Sequence, residues 1–310
     1  MVARILRFSY AEPMLRPSFT LPSFAKINLI LRIAGKRSDG YHELCTLFQT
    51  VSLCDMLSFY ADDALGLTCD DDSLPIGDDN IMIKAGKALR DRFKISEGAA
   101  MHLEKRIPAP GGLGGGSSNA AAALMGLTRL WGLKASTEDL YGIATGLGAD
   151  VPFFLHGGTA IGTGRGDSIE PMDDIDEPFI LIVTPDVPVS TQLAFDRVAA
   201  TTLTNGSSNR ILRVCRNEAE SLDLRHSVLI NDFETSVFDT YPEIRRVKAT
   251  LLKLGAVNAA MSGSGASVFA IFDNTETRQA AEKALDIEST WRKFAVSTVT
   301  RAKYREALHL

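Results

Sequence analysis

Short runs of apolar and β-branched residues alternate along the chain with longer stretches in which apolar residues recur every three or four positions. The first pattern is typical of strands and the second of amphipathic helices. In the first half the pattern predicts strands at residues 24–33, 44–53, 101–107 and 153–161, and helices at residues 80–93, at residues 119–131 and from Thr137, with Ser136 or Thr137 as the N-cap.

A polar, acidic connector at residues 167–177 marks the best boundary between two halves. We divide the chain into an N-terminal extension at residues 1–23, a first domain at residues 24–172 and a second domain at residues 173–310. Alternating strands and helices with a hairpin predict an α+β second domain of ferredoxin-like type. In this domain, strands are predicted at residues 179–184, 257–261, 267–272 and 294–300, helices at residues 191–200, 210–220, 227–238, 242–255 and 276–285, and a loop at residues 201–209.

Composition narrows the class of protein. A chain of 310 residues that is 45% hydrophobic and 23% charged has an ordinary globular balance. The net charge of −5 argues against a general nucleic-acid binder. No apolar run approaches the roughly 20 residues of a membrane span, and the first residues lack the apolar core of a signal peptide. We expect a cytoplasmic protein, a monomer or weak dimer, with neither nucleic acid nor membrane as a partner.

Cysteines and acidic clusters suggest no metal centre. The cysteines show no paired spacing, so we expect free thiols in a reducing compartment and no zinc site. They are Cys45, Cys54, Cys69 and Cys215. Four aspartates are interpreted as solvated loop carboxylates, and no protein metal ligand is assigned. They are Asp55, Asp70, Asp71 and Asp72.

The segment PAPGGLGGGSSNAAAAL at residues 108–124 places five glycines in six positions before an alanine-rich helix. Glycine permits positive φ and close approach of the backbone to a ligand. Ser117 and Ser118 offer N-cap hydroxyls, and the start of a helix attracts phosphate. We therefore predict a loop that binds a polyphosphate, although a flexible linker or a tight packing turn remains an alternative. The loop matches neither GxxxxGK[ST] nor GxGxxG.

A lysine and an aspartate are the candidate catalytic pair. Lys26 sits in an otherwise apolar strand, where a lysine is unusual unless it is paired or functional. The alternative is a side chain that runs from the strand edge to solvent. Asn28 lies two residues on and therefore on the same strand face. Asp150 precedes Val151-Pro152, where a simple turn residue is the alternative.

Three segments together resemble the signatures of the GHMP kinase superfamily: the glycine-rich loop after a strand, FAKINL at residues 24–29, and MSGSGA at residues 261–266. AKINL, RSDGYHEL at residues 37–44 and LGADVPFFL at residues 147–155 resemble the branch that phosphorylates a cytidine diphosphate-linked methylerythritol for non-mevalonate isoprenoid synthesis. Residues before Phe24 carry no family motif, and Pro110 is a departure that stiffens the loop. The resemblance implies a first domain like the second domain of ribosomal protein S5, a ferredoxin-like second domain, and an active site between them.

The resemblance also implies roles for the catalytic pair and the nucleotide site. Asp150 would act as general base, and Lys26 would hold it ionised. The phosphate donor would be ATP with Mg²⁺, bound in the first domain. The ATP-binding residues would be Pro108, Ala109, Pro110, Gly111, Gly112, Leu113, Gly114, Gly115, Gly116, Ser117 and Ser118, with Asn80 and Lys105 near the adenine or ribose.

For the small-molecule acceptor, the resemblance implies contacts from both domains. Tyr41 would stack on the cytosine and His42 would hydrogen-bond its edge. The alternative is an aromatic ring that covers the core beside a surface histidine. The full set of substrate-binding residues would be Asn28, Tyr41, His42, Thr191, Phe195, Gly263, Ser264 and Gly265.

Two other functions stay open at this point. The acceptor of a superfamily kinase could be homoserine, mevalonate or a sugar. A nucleotide-sensing or RNA-contacting module on the same fold would bind without transferring phosphate. Lys26 with Asp150 favours chemistry, and Tyr41 with His42 favours a cytidine acceptor.

Overall fold

The computed structural model describes residues 18–202 and 208–310. Residues 1–17 of the predicted extension and residues 203–207 of the predicted loop lie outside the described residues. The first half contains β1 (Phe19–Lys36), β2 (His42–Tyr60), β3 (Leu65–Cys69), α1 (Ile81–Phe93), β4 (Ala99–Glu104), α2 (Gly115–Leu130), α3 (Thr137–Leu147), α4 (Phe153–His156), β5 (Thr159–Gly164) and β6 (Ser168–Pro171). The second half contains β7 (Ile180–Pro185), α5 (Thr191–Thr202), α6 (Ser208–Glu220), β8 (Ile230–Asn231), α7 (Glu234–Thr240), α8 (Pro242–Lys253), β9 (Asn258–Met261), β10 (Val268–Ile271), α9 (Thr275–Ala284), β11 (Trp291–Val296) and α10 (Arg301–Leu308).

The first sheet is organised around two long strands. Its order is β3-β4-β2-β1-β8, and β5 and β6 continue it beside β2. β2 pairs with β1 on one edge, and its other edge pairs first with β5 and then with β4. Helices α1 and α2 pack on this sheet and α3 packs on these two helices. The alanines at residues 120–123 of α2 are fully buried. Their small side chains let α2 approach the strands closely.

The second sheet has the order β11-β7-β10-β9, with every neighbouring pair antiparallel. Taken in chain order, strands one to four therefore lie in the order 4-1-3-2. With α8 and α9 packed on them, this is the βαββαβ arrangement of a ferredoxin-like domain. The predicted α+β fold with a ferredoxin-like second half is confirmed.

A third buried cluster joins the two sheets. Ala25, Ile27 and Leu29 of β1 pack in it with Ile182 of β7 and Phe269 of β10. Successive residues of a strand point to opposite faces. The apolar residues of β1 therefore hold the two halves together, while Lys26 and Asn28 face the other way.

The helix after the glycine loop begins earlier than predicted. Residues 119–131 were the predicted helix, but α2 starts at Gly115. Its N-cap is Gly114, whose φ is +69°, and no side chain caps the helix. The serine N-cap prediction is wrong, because Ser118 already lies inside the helix and its hydroxyl accepts a hydrogen bond from Ser23 at 2.8 Å.

Other element predictions fail where tertiary contacts decide. Residues 153–161 were predicted as extended, but the buried Phe153 and Phe154 lie in the short helix α4. Residues 227–238 are not one helix, because they contain β8 and the start of α7. The strand predicted at residues 294–300 ends at Val296, and α10 follows it unpredicted. The Thr300 side chain caps α10 by accepting from the Lys303 N–H.

The cysteine prediction is half wrong. Cys45 of β2 and Cys215 of α6 form a disulfide across 170 residues of sequence, whereas Cys54 and Cys69 are free. Both bonded cysteines are fully buried, because α6 packs on β1 and β2 and brings Cys215 against the sheet. Within residues 18–202 and 208–310, none of the helices is long and apolar enough to cross a bilayer.

Two glycine substitutions test how tightly α2 packs. A Cβ at Gly126 would lie 2.0 Å from Phe59 Cζ, so Gly126→Ala should destabilise the fold by about 1–3 kcal/mol through overpacking. Gly142 in α3 has no atom within 4 Å of such a Cβ, so Gly142→Ala should stabilise it by up to ~1 kcal/mol. Urea unfolding measures both values, and a shift of the same sign in the two variants would contradict this packing.

Candidate active site

A cleft of about 320 Å³ opens where β1, the glycine-rich loop and the turn after β9 meet. Many residues predicted for the catalytic, nucleotide and acceptor sites line it together. They are Lys26, Asn28, Pro110, Gly112, Gly114, Ser117, Asp150, Thr191, Phe195, Gly263, Ser264 and Gly265. Lining residues that the sequence analysis did not single out include Thr46, Phe48, Arg165 and Phe233.

Lys26 lies at the floor of this cleft with its side chain 3% exposed. Its Nζ donates to Asn28 Oδ1 at 2.6 Å and to the Gly112 carbonyl oxygen at 3.0 Å. Asp150 Oδ2 is 3.5 Å from the same nitrogen, and the Asp150 side chain is 34% exposed. Burial lowers the pKa of Lys26, and the Asp150 carboxylate opposes that shift. The pair therefore presents a carboxylate to the cleft with an ammonium behind it.

Asn28 is held in one orientation by its neighbours. Its Nδ2 donates to Thr46 Oγ1 at 2.7 Å, and the Thr46 hydroxyl donates to the Ile30 carbonyl at 2.8 Å. Its Oδ1 accepts from Lys26. Because donor and acceptor of the amide are both engaged, Asn28 is a fixed part of the cleft wall.

The two glycine-rich turns contact each other backbone to backbone. A Cβ at Gly112 would lie 2.1 Å from the Ser262 carbonyl oxygen and 2.9 Å from that of Gly265. Gly112 also has a φ of +71°, which favours glycine. The Ser262 hydroxyl donates to the Gly112 carbonyl at 2.9 Å. Glycine at 112 is thus required by protein packing.

The start of α2 completes the phosphate-loop side of the cleft. The first turn of a helix leaves its N–H groups without partners in the helix, and the helix dipole is positive at this end. No acidic residue lies in the first turn of α2. A Cβ at Gly116 would meet no atom of the described part of the chain within 4 Å, apart from its own helical backbone. This end of the helix is therefore open to an anion.

Phe195 and Phe233 make up the aromatic end of the cleft, whereas the predicted Tyr41 and His42 are not among the residues that line it. The His42 and Phe195 rings stack with centroids 5.1 Å apart, and Phe195 contacts Phe233 edge-on at 4.7 Å. His42 Nε2 is buried and has no hydrogen-bond partner among the described residues. Burial lowers the pKa of His42, which favours the neutral imidazole. The Tyr41 ring is 56% exposed, with the Arg165 guanidinium 5.1 Å from its centroid.

A hydroxyl contact joins the second half of the chain to the second glycine turn. Thr191 at the start of α5 and Ser264 have their hydroxyl oxygens 3.0 Å apart. Together with Phe195, this contact brings α5 to the cleft beside the turn at residues 262–265.

Asn80 and Lys105 are not among the residues that line the described cleft. Asn80 is the N-cap of α1, where its Oδ1 accepts from the Met82 N–H at 2.8 Å. Lys105 is not the exposed strand residue of the alternative interpretation, because its buried Nζ pairs with Asp55 Oδ2 at 2.8 Å. Asp55 is itself fully buried, so its interpretation as a solvated carboxylate is wrong.

Asp55 and Arg165 are charged residues whose place at the site the sequence analysis did not foresee. Asp55 is a charged residue inside the apolar run VSLCDMLSF, the same signal that singled out Lys26. Arg165 lies in a turn between two strands and donates from Nε and Nη2 to Asp167 Oδ2 at 2.8 and 2.6 Å. Its position in the cleft depends on how β5 and β6 pair, which no local pattern reveals.

Family models match both halves of the chain. The model described as GHMP kinases N terminal domain matches residues 80–158, and the model described as GHMP kinases C terminal matches residues 210–289. A homoserine kinase structure from Cytophaga hutchinsonii has a TM-score of 0.67 at 22% identity and covers 94% of this chain and 98% of its own. At that identity it shows the shared fold alone.

Relatives with higher sequence identity indicate the family within the GHMP kinases. The 4-diphosphocytidyl-2-C-methyl-D-erythritol kinase of Syntrophotalea carbinolica is 42% identical over 285 residues, which is 91% of this chain and 99% of that protein. A crystal structure of 4-(cytidine 5'-diphospho)-2C-methyl-D-erythritol kinase has a TM-score of 0.73 at 31% identity and covers 90% of this chain and 99% of its own. The chain belongs to the GHMP kinases and, within them, to the family of 4-diphosphocytidyl-2-C-methyl-D-erythritol kinases.

Two loop glycines test the packing of the turns without any ligand. Gly112→Ala should destabilise the fold by about 1–3 kcal/mol, because its Cβ collides with backbone and its positive φ becomes strained. Gly116→Ala is the matched control, since a Cβ there meets open space. Thermal unfolding of the free protein measures both, and equal melting temperatures for the two variants would contradict the described contact.

Proposed function

We propose that this protein transfers the γ-phosphoryl group of ATP to the 2-hydroxyl of 4-diphosphocytidyl-2-C-methyl-D-erythritol. The observation that carries the proposal is the Lys26–Asp150 pair, 3.5 Å apart at the floor of a cleft between two glycine-rich turns. The names and close similarity of the relatives support the choice of acceptor. The reaction releases ADP and belongs to the non-mevalonate route to isoprenoid precursors.

ATP would bind with its phosphates against residues 108–118 and the start of α2. The N–H groups of the first helical turn and of the glycines would donate to the phosphate oxygens. The Ser118 hydroxyl accepts from Ser23, whereas Ser117 lines the cleft. Asn80 and Lys105 remain proposed only as neighbours of the adenine or ribose.

Mg²⁺ would arrive with ATP. Among the described residues, no three His, Cys, Asp or Glu side chains are grouped to hold a metal ion. Mg²⁺ typically binds through substrate phosphates, waters and one or two protein oxygens. The Ser117 hydroxyl suits that mode. When bound, the ion neutralises phosphate charge during transfer.

Asp150 would accept the proton of the 2-hydroxyl as that oxygen bonds to the γ-phosphorus and the bond to the β,γ-bridging oxygen breaks. Its partial exposure then lets the proton leave to water. The Lys26 ammonium, 3.5 Å from Asp150 Oδ2, would attract the developing negative charge of the acceptor oxygen. Asn28 would position the acceptor from the same strand face.

The acceptor would lie between the pair and the aromatic end of the cleft. His42 Nε2 lacks a partner within residues 18–202 and 208–310, and a neutral imidazole suits hydrogen bonding to the edge of cytosine. Tyr41 and Phe195 supply ring faces for stacking. Thr191 and the turn at Gly263, Ser264 and Gly265 would close on the substrate phosphates.

The remaining assignments follow from this function. We propose residues 24–172 as the ATP-binding domain and residues 173–310 as the second domain, acting on a small-molecule acceptor in the cytoplasm as a monomer or weak dimer. β1 begins at Phe19, and α10 packs into the core of the first half. The two halves therefore share elements across that boundary.

Asp150→Asn tests the general base. The amide is nearly isosteric but cannot take the hydroxyl proton, so kcat should fall by about 10²–10⁴-fold. ATP affinity should stay near that of the unmodified enzyme, because Asp150 lies outside the phosphate loop. ADP release with the cytidine acceptor and calorimetric binding of an ATP analogue measure the two quantities. Unchanged turnover would remove Asp150 from this role.

Loss of the Lys26 charge should make turnover fall at alkaline pH. Burial lowers its pKa below the ordinary 10.5, so the ammonium is present below that lowered pKa and lost as pH rises through it. Turnover should therefore fall at a pH below 10.5. In Lys26→Arg the guanidinium stays charged, and the residual activity should lack that limb. A pH–rate profile with the same alkaline limb in both enzymes would assign the limb to another group.

A further inference from the structure

Asp55 is a fully buried carboxylate that the proposed chemistry does not use. It lies on β2 directly opposite Ser23 of β1. Its Oδ1 accepts from the N–H groups of Arg106 at 2.7 Å and Ile107 at 2.8 Å. Its Oδ2 accepts from Lys105 Nζ at 2.8 Å and Asn119 Nδ2 at 2.9 Å. The four acceptor positions of the carboxylate are thus filled by four donors.

The four donors flank the phosphate loop on both sides. Residues 105–107 immediately precede the loop at residues 108–118, and Asn119 immediately follows it. One side chain therefore binds the entry and the exit of the loop. The Lys105 ammonium also lies beside the start of α2, since a Cβ at Gly115 would be 3.2 Å from its Nζ.

A second contact closes the same network on β1. Asn119 Nδ2 also donates to Ser23 Oγ at 2.9 Å, and the Ser23 hydroxyl donates to Ser118 Oγ at 2.8 Å. The first turns of α2 are thereby tied to the β1–β2 pair at Ser23 and Asp55. Ser117, one residue earlier, is left free to face the cleft.

We propose that Asp55 is a positioning residue for ATP binding, which fixes the distance and orientation of the two ends of the phosphate loop. This inference rests on the proposed function of that loop. A segment with five glycines has many accessible conformations. Pinning both ends removes much of that freedom before the ligand arrives, so less ordering remains to be done on binding. Asp55 itself does not line the described cleft.

A buried ion pair elsewhere in the chain provides a matched control. Glu177 is 4% exposed and accepts from Arg225 Nη2 at 2.8 Å and from the Phe179 N–H at 3.0 Å. It lies in the connector before β7 and contacts neither glycine turn. Glu177→Gln removes a buried carboxylate from an ion pair, as Asp55→Asn does, and it leaves the phosphate loop untouched.

The experiment compares Asp55→Asn with Glu177→Gln in the full chain. The amide turns one acceptor into a donor that faces other donors, so the loop ends should separate. Affinity for a non-hydrolysable ATP analogue, measured by calorimetry, should fall on the order of 10- to 100-fold in Asp55→Asn. Affinity for CMP, a probe of the acceptor site, should stay unchanged. Hydrogen exchange at residues 108–118 should accelerate in this variant alone.

Asn119→Ala provides a second test if Asp55→Asn does not fold. It releases the exit of the loop and keeps the Asp55–Lys105 pair, and it should weaken the ATP analogue by a smaller factor, with CMP again unaffected. The proposal is overturned by analogue affinity equal to that of the unmodified protein, by equal losses for analogue and CMP, or by the same loss in Glu177→Gln. Failure of the proposed function would give a different result. The unmodified protein would then bind the ATP analogue and CMP but release no ADP with the cytidine acceptor.

Discussion

Burying the ammonium group of Lys26 is the physical constraint on which this site depends. An unpaired buried charge is penalised by several kcal/mol, so it must find acceptors with good geometry. Asn28, the Gly112 carbonyl and Asp150 supply them. The carbonyl can do so only if the glycine-rich loop lies directly on β1, where Lys26 N donates to the Leu113 carbonyl at 3.0 Å. The glycine-rich loop must in turn make close backbone contact with the turn after β9.

The glycines of this loop therefore do two things: one allows close packing within the protein, and another leaves space for a ligand. Gly112 is a packing residue, because its missing side chain makes room for the Ser262 carbonyl. A Cβ at Gly116 would meet no atom of the described residues beyond its own helical backbone, so the space beside it is available to a ligand. Charges are arranged on both sides of this loop, with Lys26 and Asp150 on the cleft side and Lys105 and Asp55 beneath it. The glycine content of the loop permits many conformations, but its contacts with the rest of the protein hold it in place.

Local patterns predicted much of this fold and long-range contacts account for the rest. The strand with Lys26, the capped helices α1 and α3 and the ferredoxin-like type of the second half were foreseen, since periodicity and capping residues are local signals. The Cys45–Cys215 disulfide was not, because 170 residues separate its ends. Asp55 was misinterpreted as a solvated loop carboxylate, because only the tertiary structure brings its four donors together. The aromatic run at Phe153 misled, since burial and not β propensity decides its conformation.

The last helix of the chain completes the core of the first half. Tyr304 and Leu308 of α10 are buried among the side chains that pack α2 and α4 on the first sheet. The Tyr304 ring lies so close to Gly157 that a Cβ there would be 2.2 Å from it. During synthesis on the ribosome, the segment that starts at β1 therefore keeps an unfilled apolar surface until α10 emerges. The two halves would complete their folding together. A chain released before α10 is made would expose that apolar surface, which promotes aggregation.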